Sequence, residues 1–207
     1  MLVDKSNWTY GAFYSRVEDP MLAKIRQVVM DLIPEGSSIL DIACGTGLLC
    51  RQLRQQKHCR VTGIDLSVRM IEFARQNNLL PEVTFIHGDA TDLRDFADQS
   101  FDYATLLLIV HELTRTDQLR VLKEALRVAR RCILLDAASP LPRNLVGLEI
   151  HLAERVLGRG HLGNFKDYVA GGGISGMLKD LDLPTAIEHS SVFMQKCRQV
   201  VVLSIQQ

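Results

Sequence analysis

Three aspartates recur at a regular spacing in the first half of the chain, at or just after runs of apolar residues. Asp41, Asp65 and Asp89 are each 24 residues from the next. Because the carboxyl ends of parallel strands meet at one edge of a sheet, we expect the three carboxylates to line that edge. Such a row can hold a polar ligand, and an acid after the second strand is placed to accept both hydroxyls of a ribose.

A glycine turn follows the first of these aspartates. Gly45 and Gly47 separate an apolar strand from a helix that begins near Leu48. Glycine lets the backbone turn sharply and a ligand approach it, and the free N–H groups of the helix start face the same crevice. Cys50 replaces the third glycine of a dinucleotide-binding fingerprint, and Asp41 would repel a pyrophosphate. The turn therefore favours a positively charged nucleoside over a nicotinamide dinucleotide.

Strand and helix patterns alternate through the centre of the chain, which predicts a parallel α/β sheet. The predicted strands are Ser38–Ile42, Arg60–Asp65, Pro81–His87, Phe101–Leu107 and Cys132–Asp136. The predicted helices between them are Leu48–Gln56, Ser67–Gln76 and Thr116–Ala129. Ser67 is expected to cap its helix, since a serine hydroxyl accepts a bond from the first turn.

The flanks of this sheet are predicted with less regular patterns. A helix over Pro20–Leu32 precedes the sheet, a looser one over Asn144–Val156 follows it, and Thr185–Phe193 with Arg198–Ile205 closes the chain as a hairpin. Glycines between 158 and 173 predict a flexible surface connection. We expect one domain over residues 1–207. It comprises a helical cap over residues 1–34 and a core over 35–207, with a variable insertion at about 140–180.

Composition excludes several classes of protein. The formal net charge is +0, so no global field draws nucleic acid to the chain. Five cysteines without a C-x-x-C pair argue against a zinc site or a disulfide framework, and for a reduced compartment. No apolar stretch is long enough to span a bilayer, and the first residues lack the pattern of a leader. These features predict a cytoplasmic protein without a membrane span.

The motifs resemble those of the class I S-adenosylmethionine-dependent methyltransferases. Leu40–Gly47 resembles the first motif of that family, with Ala43 in place of the more frequent glycine. Val61–Ser67 resembles the segment whose acid holds the ribose, and Phe85–Ala90 the segment whose Asp binds the adenine amino group. Phe101 through His111 resembles the fourth strand and the turn that lines the methyl donor. A looser similarity connects the chain with quinone-biosynthesis C-methyltransferases.

This resemblance implies a fold, a cofactor and a site. The fold is a Rossmann-like three-layer sandwich with a seven-stranded, mostly parallel sheet whose last strand is antiparallel. The cofactor is S-adenosyl-L-methionine, with S-adenosyl-L-homocysteine as product, and the acceptor is a small molecule. Asp41 would lie near the ammonium group of the methionine part. The implied cofactor-binding residues are Asp41, Ala43, Cys44, Gly45, Gly47, Asp65, Leu66, Met70, Gly88, Asp89, Ala90 and Leu106.

On the acceptor side, His111 and Tyr14 are the candidate catalytic residues. His111 follows the fourth strand and could act as a general base or contact the acceptor, since histidine titrates near neutrality. No metal site is predicted, because the other histidines (His58, His87, His151, His161, His189) lack ligand spacing with one another. Two alternatives stay open: a non-catalytic protein that binds S-adenosylmethionine, and a nicotinamide-dependent oxidoreductase.

Overall fold

A computed structural model describes residues 22–156 and 159–206. The segment of the predicted cap that contains Tyr14 lies outside these residues. The seven strands are β1 (Ser38–Ile42), β2 (Arg60–Asp65), β3 (Val83–His87), β4 (Phe101–Leu107), β5 (Ala129–Ala137), β6 (Thr185–Phe193) and β7 (Arg198–Ile205).

These strands form one sheet in the order β3-β2-β1-β4-β5-β7-β6. Strands β1 to β5 are parallel to one another, whereas β7 is antiparallel to both β5 and β6. The predicted seven-stranded sheet with an antiparallel last strand is confirmed. Five predicted strand ranges match the structure residue for residue. They are Ser38–Ile42, Arg60–Asp65, Phe101–Leu107, Thr185–Phe193 and Arg198–Ile205, of which the last two form the hairpin.

Helices cover both faces of the sheet. They are α1 (Ala23–Asp31), α2 (Leu48–Lys57), α3 (Val68–Gln76), α4 (Arg115–Val128), α5 (Leu145–Val156), α6 (Arg159–Ala170) and α7 (Gly173–Asp180), with a 3-10 turn at Val110–Glu112. Alternate strand residues divide the core in two: Leu40 and Leu134 pack with α4, α6 and α7, whereas Ile39 and Ile133 pack with α1, α2 and α3. The result is the expected three-layer sandwich.

The start of α3 agrees with its prediction in detail. Ser67 has extended backbone angles, and its hydroxyl accepts a hydrogen bond from the Met70 N–H at 3.3 Å. A serine in this position satisfies one of the donors that a helix start leaves without a partner. This cap places the start of α3 at Val68, three residues after Asp65.

The glycine-rich stretch differs from its prediction. Gly163 lies inside α6, and Gly173 begins α7, so a flexible surface connection over this region is wrong. Phe165 and Tyr168 on α6 are fully buried in the core. Their burial outweighs the cost of glycine in a helix, which is about 1 kcal/mol per residue.

None of the helices in the described part of the chain combines the length and the apolarity that crossing a bilayer requires.

Candidate active site

The three aspartates form a staggered row at the carboxyl edge of the sheet. Asp41 is paired with Gly63, two residues before Asp65, and Asp65 is paired with His87, two residues before Asp89. A step of two extended residues is about 6–7 Å. Asp41 is therefore the deepest of the three, with 2% of its surface exposed, whereas Asp65 and Asp89 are half-buried. A ligand that follows the row must slant outward from β1 towards β3.

Asp41 is a buried carboxylate with two hydrogen-bond donors. The Thr105 hydroxyl donates to Oδ1 at 2.6 Å, and the Cys50 thiol donates to Oδ2 at 3.2 Å. Burial raises the pKa of Asp41 to about 6, against the lowering effect of these two bonds, and the negative charge of Asp65 raises it further. Cys50 thus has a function at the position where a dinucleotide fingerprint has glycine. Ionised Asp41 lowers the stability of the ligand-free protein, because its negative charge is buried, and a cationic ligand would stabilise that charge.

Asp65 ties the glycine turn to the start of α3. Its Oδ2 accepts the Gly45 N–H at 2.9 Å, and its Oδ1 accepts the Ser67 N–H at 2.8 Å. A carboxylate has about four acceptor sites, so these two bonds do not by themselves exclude bonds from ribose hydroxyls. The structural and the ligand-binding interpretations of Asp65 are therefore compatible.

The two glycines of the turn have different surroundings. Both have left-handed backbone angles, with φ of 53° at Gly45 and 70° at Gly47. A Cβ atom on Gly47 would lie 2.4 Å from the Phe85 ring, whereas a Cβ atom on Gly45 would meet nothing within 4 Å. Gly47 is thus required by packing, while Gly45 faces open space that a ligand can fill. A ligand that approaches the Asp65 carboxylate therefore meets no side chain at Gly45, whose N–H the carboxylate accepts.

The other predicted cofactor residues differ in burial and in hydrogen bonding. Asp89 Oδ1 accepts the Thr91 N–H and hydroxyl, both at 2.8 Å. Leu66 is 42% exposed at the rim, whereas Met70 and Leu106 are buried, Leu106 completely. Ala43, at φ 59°, has a conformation that glycine adopts more easily. The remaining predicted residues, all half-buried, are Cys44, Gly88 and Ala90. Their contacts with a cofactor stay a prediction.

His111 is held by a carboxylate from the neighbouring strand. Its Nδ1 lies 2.7 Å from Asp136 Oδ1, and its backbone N–H donates to Asp136 Oδ2 at 3.3 Å. Asp136 has no exposed surface and also accepts the Ala137 N–H at 2.6 Å. A carboxylate so placed orients the imidazole and favours the tautomer with its proton on Nδ1.

Helix α6 brings a second histidine to His111. His161 Nε2 lies 3.1 Å from Glu112 Oε1, and the His161 and His111 ring centroids are 5.7 Å apart. Asn164 donates to the Glu112 carbonyl at 2.6 Å, and the rings of Phe165 and Tyr168 pack edge-on against His111. The predicted acceptor-side region thus contains two histidines and two carboxylates (His111, His161, Glu112, Asp136).

Of these four residues the sequence analysis predicted only His111. It missed Glu112, the next residue along the chain, as well as Asp136 and His161. Asp136 is the next-to-last residue of β5, as Asp41 is of β1, so the same strand-end signal could have identified it. His161 is 50 residues from His111 along the chain, and no sequence pattern connects them. Only the packing of α6 against the 3-10 turn brings the two rings together.

The strand order and the site share features with a known family. The chain has an antiparallel seventh strand between the fifth and sixth, a glycine turn after β1 and carboxylates at or near successive strand ends. In these features the fold and the motifs resemble those of the class I S-adenosylmethionine-dependent methyltransferases.

Comparisons with known proteins agree with this class. Residues 39–131 match a family described as a methyltransferase domain. A demethylmenaquinone methyltransferase of Thermotoga maritima is 34% identical over 128 residues, which cover 60% of this chain and 53% of that protein. An O-methyltransferase of Penicillium expansum is 37% identical over 123 residues, which cover 56% of this chain and 44% of that protein.

The fold comparison extends over nearly the whole chain. The crystal structure of a SAM-dependent methyltransferase from Aquifex aeolicus has a TM-score of 0.67 at 18% identity, covering 95% of this chain and 99% of that one. The sequence matches are shorter, and the chain spans about half the length of the two relatives named above. Activity and acceptor are therefore matters for proposal.

Proposed function

We propose that the chain transfers the methyl group of S-adenosylmethionine to a small-molecule acceptor. The observation that carries this proposal is the staggered row of Asp41, Asp65 and Asp89 beside the open space at Gly45. Asp41 would attract the ammonium of the methionine part, Asp65 would accept from the ribose hydroxyls, and Asp89 would accept from the adenine amino group. S-adenosylmethionine supplies an electrophilic methyl group on a cationic sulfur.

The protein contributes mainly alignment to this reaction. The acceptor would form a bond to the methyl carbon as the carbon–sulfur bond breaks with its electron pair on sulfur, and a proton released by the acceptor would pass to His111. His111, oriented by Asp136, is the proposed acceptor-side residue, and Tyr14 is the second candidate. The names of the relatives, a demethylmenaquinone methyltransferase and an O-methyltransferase, support a quinone-type acceptor or an acceptor oxygen.

Calorimetry with S-adenosylhomocysteine tests the cofactor assignment. We expect one site per chain, no heat with NAD, and at least about a tenfold loss of affinity in Asp65→Asn, which keeps one acceptor oxygen for the turn. Asp98→Asn is the control, because that exposed carboxylate pairs with Arg127. Equal affinity in the wild type and Asp65→Asn would contradict the ribose assignment, and preference for NAD would favour an oxidoreductase.

Turnover distinguishes an enzyme from a binding protein. Incubation with a panel of phenols, catechols and reduced quinones should yield S-adenosylhomocysteine, measured by mass spectrometry. His111→Ala should lower kcat at least about 100-fold while leaving the affinity for S-adenosylhomocysteine unchanged. Tyr14→Phe is compared with it in the same assay. Wild-type turnover in both variants would remove both residues from the mechanism.

A further inference from the structure

His111, Glu112 and His161 form a cluster whose ligand atoms lie close enough together to hold a metal ion. Each residue offers one ligand atom, and the three atoms lie within 4.8 Å of one another. His161 Nε2 and Glu112 Oε1 are already 3.1 Å apart. Two imidazole nitrogens and one carboxylate oxygen suit Zn²⁺ and similar transition ions, whereas Mg²⁺ and Ca²⁺ prefer oxygen ligands alone.

Asp136 supplies a carboxylate beside one of the candidate ligands, as metal-binding histidines usually have. It lies 2.7 Å from His111 Nδ1 and is itself fixed by the Ala137 N–H. When Nδ1–H donates to a carboxylate, the lone pair of the imidazole is on Nε2, and its basicity as a ligand increases. The carboxylate–histidine pair is therefore set for coordination through Nε2.

The burial of the cluster and the packing of α6 also favour metal binding. Asp136 is completely buried, and the side chains of His111, His161 and Glu112 are 7%, 7% and 16% exposed. A divalent ion bound among these side chains would be attracted strongly by both carboxylates, because buried surroundings screen charge weakly. Asn164, Phe165 and Tyr168 hold α6 against the 3-10 turn, so the donor atoms approach one another without a large rearrangement.

We propose that His111, Glu112 and His161 bind a divalent transition-metal ion, with Zn²⁺ the best fit to the donor set. Three protein ligands leave a coordination position open, as in catalytic rather than structural zinc sites. The site follows β4 at the carboxyl edge of the sheet, on the acceptor side. The open position would take an anionic or ionisable oxygen of a bound small molecule, whose hydroxyl the ion would make more acidic.

This inference departs from the expectation that the chain binds no metal, and it goes beyond the proposed methyl transfer. With the ion bound, His111 would act on the acceptor as a metal ligand and not as a general base. The competing explanation is an ion-pair network, in which a protonated histidine supplies the positive charge that the carboxylates need. The two explanations differ in an observable way: only the metal site binds one equivalent of Zn²⁺ and loses it when any of the three donors is removed.

Metal titration of tag-free, chelator-treated protein tests the proposal. We expect one equivalent of Zn²⁺ by calorimetry, and visible absorption of a tetrahedral site with Co²⁺. His161→Ala and Glu112→Gln should each weaken Zn²⁺ binding at least about 100-fold, and Asp136→Asn about 10–100-fold. His189→Ala is the control, because His189 is exposed on β6. Glu112→Gln preserves shape, so it keeps the test valid if His161→Ala does not fold.

The outcomes separate this inference from the proposed function. Absence of stoichiometric Zn²⁺ binding, or equal binding in wild type, Glu112→Gln and His161→Ala, would overturn the metal site. An equal loss in His189→Ala would also overturn it, since the metal would then be held nonspecifically. S-adenosylhomocysteine is titrated into the same samples. Binding of the nucleoside without the metal refutes only this inference, and binding of the metal without the nucleoside refutes only the proposed function.

Discussion

At the scale of single residues, Asp41 is the clearest conflict between stability and ligand binding. A carboxylate with 2% of its surface exposed is costly to ionise, and its pKa is raised from 3.8 to about 6 by burial. The folded state therefore holds the Asp41 proton more tightly than the unfolded chain. The contribution of this group to stability is complete below pH 4 and is lost as the pH rises through about 6.

Replacing Asp41 by asparagine should expose this conflict. Asp41→Asn removes the buried charge, so we expect the ligand-free protein to gain up to about 3 kcal/mol in free energy of unfolding at pH 8. The gain should disappear near pH 4, where wild-type Asp41 is protonated. Urea unfolding of both proteins at the two pH values measures this difference. An equal gain at both pH values would show that the effect does not come from ionisation.

The same substitution predicts the pH dependence of binding. In the wild type, affinity for S-adenosylhomocysteine should fall below pH 6, by up to tenfold per pH unit, as the partner of its ammonium group is protonated. Cys50 is the nearest other titratable group, and burial keeps its pKa well above the usual thiol range, so it stays protonated throughout. The variant should bind more weakly, with an affinity that hardly varies with pH.

At the scale of elements, the turn between β1 and α2 separates packing from ligand approach. Gly47→Ala places a methyl group against Phe85, so we expect a loss of about 2–4 kcal/mol in stability. Gly45→Ala meets only open space and should cost about 1–2 kcal/mol through its left-handed backbone. It should nevertheless weaken S-adenosylhomocysteine binding more than tenfold. Denaturation and calorimetry measure the two effects, and equal stability losses would contradict this division.

A buried hydrogen bond connects helix α6 to strand β5. The Tyr168 hydroxyl donates to the Ala137 carbonyl at 2.9 Å, next to Asp136. Burial, followed by the nearby negative charge of Asp136, raises the pKa of Tyr168 well above its usual value, so the hydroxyl remains a donor. Tyr168→Phe leaves the carbonyl without this donor and should cost about 1–3 kcal/mol. Tyr103→Phe, on the opposite face of the sheet, is the comparison for losing a tyrosine hydroxyl elsewhere.

At the scale of the whole molecule, the balance of positive and negative charges affects solubility. The formal net charge is +0 at pH 7 and the sequence pI is about 7.0. Without net charge, molecules do not repel one another, so solubility of this chain should be lowest near pH 7 and higher at pH 6 and pH 8.5. Light scattering against pH measures this, with the folded state checked by circular dichroism. A monotonic trend would contradict the prediction.

The sequence alone was sufficient for most of the architecture. Strand periodicity and the glycine turn are local signals, and they predicted β1, β2 and β4 to the residue. The identical spacing of the three aspartates likewise predicted the row at the sheet edge, because parallel order and strand direction follow from the alternation of strands and helices. The resemblance to methyltransferases rested on these same short segments.

Tertiary structure decided what depends on contacts between distant segments. The depth of Asp41 and its raised pKa follow from the sheet register and from Thr105, which lies on another strand. The glycines along α6 led to the prediction of a flexible connection, whereas the burial of Phe165 and Tyr168 stabilises a helix there. His161 meets His111 only when that helix packs, since local patterns carry no information about which side chains distant elements bring together.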